Sequence, residues 1–325
     1  MWKSGVIALF AAAALSPCLA AQPDAFQRGK DTIWEVLWHQ SGTATRLVRW
    51  GTDIKVRITG VNVAAHRQHT VQALRDVAGE AGVKVIDVTD QPDAATQANV
   101  KIEIVPDSAL SEAQPCETRL DFQTETTIDS VTMQMRDSDA RRCAYHESMH
   151  VMGVRGHPEG DTVLNYFTSR TEGLGPLDKV LLRAWYSPRV RPGATPFEVL
   201  PVLADELVAI SANRARAQKE RDAFLADTVN RMQAFAQGQG DVPKIIKDCG
   251  KVTENGVRYG RLEMSYFLGV AYQNGASVRQ DSARALQWLQ RAASLGDRDA
   301  KMQLAAAASE QAAGAPSEQA AGAAR

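Results

Sequence analysis

The stretch His146-Glu147-Ser148-Met149-His150-Val151-Met152-Gly153-Val154-Arg155-Gly156-His157 holds three of the chain's six histidines within twelve residues. On a helix, side chains four apart share a face, so the imidazoles of His146 and His150 project together and can hold one metal ion. Glu147 lies beside that face, where a carboxylate can take a proton from a water without being a ligand itself. Gly153 can adopt the left-handed conformation that ends a helix. The turn that follows lets His157 approach as the third ligand.

The flanking sequence divides by pattern. From about Ile54 to Gly156, strands and helices mix: Ile54–Ile58 (IKVRI) alternates, Thr70–Gly82 reads as an amphipathic helix ending at glycine, Val83–Val88 and Asn99–Val105 are β-branched runs, and Ser130–Met135 alternates again. This predicts an α+β layer in which helices, among them the metal-binding one, rest on a small mixed sheet. From Phe197 to Gln237 there is no Pro or Gly after Pro201, which predicts long helices, and the chain reads as helical again from Tyr259 to Ala308. Ser309–Pro316 (SEQAAGAP) nearly repeats as Ser317–Ala324 (SEQAAGAA), the composition of a disordered tail.

At the start of the chain, Lys3 precedes an uncharged run of ten residues, Val6–Leu15, then Pro17 and the small-residue site at Cys18-Leu19-Ala20. This reads as a signal peptide over residues 1–20, cleaved after Ala20. The run is half the roughly 20 apolar residues a membrane span needs, and no second run of spanning length follows. The expected address is the bacterial periplasm or the exterior of the cell. With 325 residues, 44% hydrophobic and 23% charged, the composition excludes a fibrous or wholly disordered chain. The 37 Lys+Arg against 38 Asp+Glu leave a net charge of -1, so the charge balance exerts no overall pull toward nucleic acid or an anionic membrane. Four cysteines are too few for a disulfide scaffold. Cys116 and Cys143 are expected to pair, tethering the start of the metal helix to the segment around Pro115, and closing that 27-residue loop should stabilise by about 3 to 4 kcal/mol. Cys249 is left over, as a small core residue or as an intermolecular partner.

The histidine motif resembles that of the metzincin clan of zinc peptidases, whose signature HExxHxxGxxH is followed by a methionine-containing turn. Asp161–Phe167 (DTVLNYF) is similar to that turn, and Leu177-Asp178 with Leu181–Tyr186 (LLRAWY) to the clan's closing helix, which ends in tyrosine. With Ser187–Gly193 (SPRVRPG) behind it, the arrangement looks most like exported bacterial metzincin-like proteins of unassigned function. The resemblance spans about residues 45 to 200 and is strongest from Cys143 to Gly193. It implies a zincin-like fold and Zn²⁺ held by His146, His150 and His157. It further implies Glu147 as general base, Tyr166 as an oxyanion stabiliser or fifth ligand, and a peptide or protein as substrate. Two positions depart from the clan: Gly156 stands where the third histidine belongs, with His157 one residue later, and Leu164 replaces the methionine. Glu159 or Asp161 therefore stands as an alternative third ligand, since carboxylates also bind zinc.

Met264–Ala300 is similar to the Sel-one-like repeat, a relative of the tetratricopeptide repeat. Leu268 and Tyr272 share one helix face, Gly275 ends that helix, Ala285, Trp288, Leu289 and Ala292 form the facing stripe, and Gly296 ends the second helix. The expected organisation is a signal peptide (1–20), a zinc-binding domain (21–200), a helical linker (201–240), a helical-repeat region (241–308) and a tail (309–325). Two functions follow from different classes. One is an exported zinc metallopeptidase with an appended docking module. The other is a non-catalytic, metal-bearing or metal-free envelope protein that binds a protein partner through its repeat. If the repeat is a separate module, deleting residues 241–325 should leave a folded, zinc-binding domain.

Overall fold

A computed structural model of the chain describes residues 25–38, 46–165, 173–247 and 253–314. The expected signal peptide, Tyr166 and Cys249 lie outside these residues. The described chain opens with helix α1 (Ala25–Val36), followed by the short strand β1 (Arg49–Trp50). Strand β2 (Ile54–Gly60), helix α2 (Val63–Glu80) and strand β3 (Val85–Asp87) form a β-α-β unit, with β2 and β3 paired in parallel from Ile54 against Val85. The connection has to be long because parallel neighbours need a crossover, and α2 supplies it. A short helix α3 (Ala94–Gln97) then leads into β4 (Val100–Val105), parallel to β2, and the hairpin β5 (Cys116–Thr124) and β6 (Thr127–Arg136) completes the sheet.

Strand order is β1-β6-β4-β2-β3, with β5 antiparallel on the other side of β6. The sheet is mixed, but most of its pairings are parallel, so the architecture is mixed α/β with a helical C-terminal region. One face is apolar: Val100, Ile102 and Ile104 of β4 are buried while Lys101 and Glu103 are exposed. Against that face pack α2, through Val71, Leu74 and Val77, and helix α4 (Ala140–Val151), which carries His146 and His150. A disulfide joins Cys116 at the start of β5 to Cys143 in α4, with the Cα atoms 6.1 Å apart, as the sequence reading expected.

The second layer is helical: α5 (Pro176–Trp185), α6 (Pro196–Ile210), α7 (Arg214–Ala236), the short α8 (Lys244–Lys247), α9 (Thr253–Asn274), α10 (Ser282–Leu295) and α11 (Arg298–Gly314). The long helical stretch from Phe197 breaks at Ser211 to Asn213, where the Asn213 side chain caps α7 by accepting from the Arg216 amide. Asp281 caps α10 in the same way, and Gly296, at φ 109°, ends it. Helix α11 runs to Gly314, into the segment read as disordered from its repetition; its alanine run favours a helix strongly enough to carry the element on.

Helix α1 joins this layer. Phe26 meets Phe224 edge to face at 5.4 Å and Trp38 meets Phe235 at 4.8 Å. One cluster of buried side chains runs without a break from Ile54 and Val100 of the sheet through Trp38, Phe235 and Phe267 to Trp288. No gap in the core marks residues 200 or 240. No helix among the described residues is long and apolar enough to cross a membrane.

Candidate metal centre

Helix α4 ends where its sequence says it should. Gly153 is left-handed (φ 82°), its amide donates to the His150 carbonyl, and the Val154 amide donates to the Met149 carbonyl, with Val154 and Met149 both buried. This is the reciprocal closing pattern of a glycine-terminated helix. Two further end carbonyls are satisfied from afar: Trp50 Nε1 donates to Val151 at 2.8 Å, and the Tyr186 hydroxyl donates to Met152 at 3.1 Å. All four carbonyls that a helix end leaves open are thereby matched.

A side chain at Gly153 has no room, because an added Cβ would lie 2.4 Å from the Val48 carbonyl oxygen. Gly153→Ala combines left-handed strain with a backbone clash, each costing about 1 to 3 kcal/mol. The variant should lose about 3 kcal/mol of stability in a urea titration, where an unchanged midpoint would contradict the close approach.

Beyond Gly153 the chain turns back, and Gly156 (φ 89°) lies against the Glu35 carbonyl, only 3.0 Å from where its Cβ would stand. His157 thereby reaches the helix pair despite its one-residue displacement. The Nε2 atoms of His146 and His150 are 3.2 Å apart, as are those of His150 and His157, and the three ligand atoms all lie within 4.8 Å of one another. Glu159 turns away to an ion pair with Lys244, and neither it nor Asp161 belongs to the cluster.

The ring orientations follow from the backbone. His146 Nδ1 lies 2.9 Å from the Val163 carbonyl and His150 Nδ1 lies 2.8 Å from the Val154 carbonyl. A carbonyl can only accept, so both Nδ1 atoms carry the proton and both Nε2 atoms present lone pairs. Two lone pairs 3.2 Å apart repel each other unless a cation lies between them. Four ligands around a tetrahedral ion at about 2.05 Å would stand about 3.3 Å apart, close to the observed spacing. Burial, reinforced for His146 and His157 by neighbouring imidazoles, pushes all three pKa values down, which keeps the rings neutral as a metal requires. The donor set and its geometry fit one metal ion.

Glu147 is buried (1% exposed) and its Oε2 has no hydrogen-bond partner. Burial pushes its carboxyl up to about 7, offset in part by Thr118 of β5. Its Oε1 lies 3.9 Å from His146 Nε2. Arg155, half-buried with its guanidinium over the ring of Phe122 at 5.8 Å, adds a positive charge on the His150 side. Leu164 is fully buried.

One residue quoted with the closing helix was given no role there, and it supports the cluster. Asp178, fully buried, accepts from the Thr162 hydroxyl at 2.5 Å, the Val163 amide at 3.1 Å and the Gly175 amide at 2.8 Å. It fastens to α5 the turn whose Val163 carbonyl orients His146. The signal was present as an acidic residue three positions after Gly175, the pattern of a helix-start capping box.

A family model described as a protein of unknown function, DUF2927, matches residues 36–205. The chain belongs to the DUF2927 family. The DUF2927 segment spans β1 to most of α6, and so contains the whole histidine cluster, Glu147 and Asp178. A Sel1 repeat model matches residues 263–297, which cover the second half of α9 and all of α10. Sel1 repeats commonly mediate protein–protein interaction, which supports a protein partner for this DUF2927 chain. The metzincin resemblance rests on the motif and its surroundings, since the family match is to DUF2927. Comparisons with curated proteins and with solved structures gave no match.

Proposed function

We propose that this DUF2927 protein is an exported zinc-dependent peptidase with a zincin-like domain, in which His146, His150 and His157 hold Zn²⁺ and Glu147 is the general base. The observation that carries the reading is the convergence of three imidazole rings beside a buried carboxylate, one of whose oxygens makes no hydrogen bond. A purely structural ion would not need that carboxylate. When bound, Zn²⁺ supplies Lewis acidity, polarising a carbonyl and acidifying a water at its open position. Glu147, with its carboxyl poised near neutrality, accepts the proton of the attacking water and returns it to the leaving amine. Asp178 and the Val163 carbonyl hold His146 in one tautomer throughout. Tyr166, two residues past Leu164, is assigned the oxyanion role by resemblance.

The test begins with the ion. Purified protein should carry close to one Zn²⁺ per chain by elemental analysis, and His150→Ala should carry little. Equal, negligible zinc in both would remove the centre. Screening a broad peptide library with the zinc-loaded protein then separates two readings, because the Sel1 match equally suits a non-catalytic protein that binds an envelope partner. Full zinc with no cleavage of any peptide would favour that second reading.

A further inference from the structure

The Ser187–Gly193 loop, the start of α6 and the turn after α9 border an open cavity of about 590 Å³ on the seam between the DUF2927 segment and the Sel1 repeat. It is separate from the histidine cluster and is used by none of the chemistry above. We propose that this seam is a binding site for a carboxylate-bearing peptide segment of a partner protein, with Arg49 as the recognising cation. The proposal stands whether or not the metal centre is catalytic.

The charge balance points to an anion. Three arginines, Arg49, Arg189 and Arg191, line the cavity against one carboxylate, Glu198. Glu198 is engaged twice: Oε1 with Arg191 at 3.2 Å, and Oε2 with the Thr195 amide at 2.8 Å, where it caps α6. Arg189 pairs with Asp205 at 2.7 Å, but Asp205 also serves Arg221 at 2.6 Å. Arg49 has no carboxylate partner among the described residues; its guanidinium meets the Ser187 carbonyl at 3.4 Å and is half-buried. An uncompensated, partly desolvated guanidinium is the group that gains most from a carboxylate, because it can offer two parallel N–H donors.

The walls point to an organic ligand rather than a bare ion. The cavity has the volume typical of ligand sites, well beyond a single small anion. Pro188, Pro192 and Pro201 stiffen its rim, so little backbone freedom is lost on binding.

The repeat side is fixed in place as well. Pro201 has no amide hydrogen for the Phe197 carbonyl one turn earlier in α6, and that carbonyl accepts instead from the Ser277 hydroxyl at 2.5 Å. Ser277 sits at φ 58°, a left-handed conformation uncommon for a residue with a side chain. The two walls of the seam are therefore tied to each other by a contact between the two matched segments. A Sel1 repeat on one wall suits a protein ligand.

The experiment uses full-length protein and fluorescein-labelled five-residue probes in fluorescence anisotropy. The probes are Gly-Gly-Glu-Gly-Gly amide, its Gln counterpart, and pentaglycine with a free C-terminus. Either the Glu probe or the free acid should bind at least tenfold tighter than the neutral Gln amide, and which of the two does so tells whether a side-chain or a terminal carboxylate is read. Affinity should fall as salt rises. Arg49→Gln should bring the favoured probe down to the neutral level, Arg49→Lys should recover part of the loss, and Ala276→Trp should block the site from the repeat side. Each variant is checked for an unchanged thermal midpoint. The proposal is overturned if all three probes bind alike, if none binds at millimolar concentration, if Arg49→Gln with an unchanged midpoint binds as wild type does, or if inorganic phosphate competes as well as the peptide.

Discussion

Replacing Glu147 with glutamine is expected to lower peptide hydrolysis by about 10² to 10⁴-fold while Zn²⁺ stays bound. The amide fills the same space and leaves the three imidazoles untouched, but it cannot accept the proton of the attacking water. Stability should hold, since Glu147 Oε2 makes no hydrogen bond to lose and the substitution removes a fully buried ionisable group. The measurement is kcat/KM on a cleaved peptide, with zinc determined on the same sample, because a lost ion would mimic a lost base. Wild-type rates in a zinc-replete glutamine variant would end the general-base assignment. Tyr166→Phe should produce a smaller fall, as it removes at most one contact to the developing oxyanion.

Deleting residues 241–325 should destabilise the remainder severely, in contrast to the expectation from sequence alone. The removed helices cover Met232 and Phe235 of α7, and Met264, Phe267 and Leu268 are fully buried in the same cluster. They also provide Ser277 to the Phe197 carbonyl and Arg291 to the Ala236 carbonyl. Exposing several large side chains at about 1.5 to 3 kcal/mol each, and stranding two carbonyls, should cost about 5 kcal/mol or more. That is a large share of the roughly 5 to 15 kcal/mol that holds a domain folded. The expected result is a broad or absent unfolding transition in calorimetry and a fall in zinc content. A truncated chain with a sharp transition and full zinc would show that the core can be divided after all.

The apolar half of the fold was legible in the sequence because its signals are periodic. Ile54–Ile58, Val83–Val88, Asn99–Val105 and Ser130–Met135 all contribute to strands, since β-branched alternation is what a half-buried strand requires. The stop at Gly153 and the caps at Asp281 and Gly296 were legible for the same kind of reason, a backbone conformation that few residues supply. Strand β5 was missed because Cys116–Thr124 lies at the sheet's border, mostly exposed, and carries a polar sequence that resembles a loop. Helix α1 was missed although Phe26, Ile33 and Trp34 fall on one helical face; its packing partners on α6 and α7 lie some 180 residues away. In the candidate metal centre, residue types and spacing pointed to the three histidines, which the fold does bring together, and to Glu147 beside them. The tautomers and the Asp178 support depend on carbonyls and amides brought in from Val154, Val163 and Gly175, and a main-chain group leaves no residue-type signature.

The Cys116–Cys143 bridge lies within one contiguous stretch, strand β5, strand β6 and the first turn of α4. Cys249 is about four times as far along the chain from Cys143 as Cys116 is. In a chain that has not yet folded, encounter probability falls as roughly the three-halves power of the intervening length, so the native pair should meet about eight times as often as the long-range competitor. Thiol chemistry during maturation is thus partitioned kinetically toward the native pairing before any tertiary contact selects it, and hydrogen bonding between the two strands narrows the choice further. The order of events is written into the spacing: the staple can close on the hairpin and the first helical turn while the C-terminal helices are still being assembled around them.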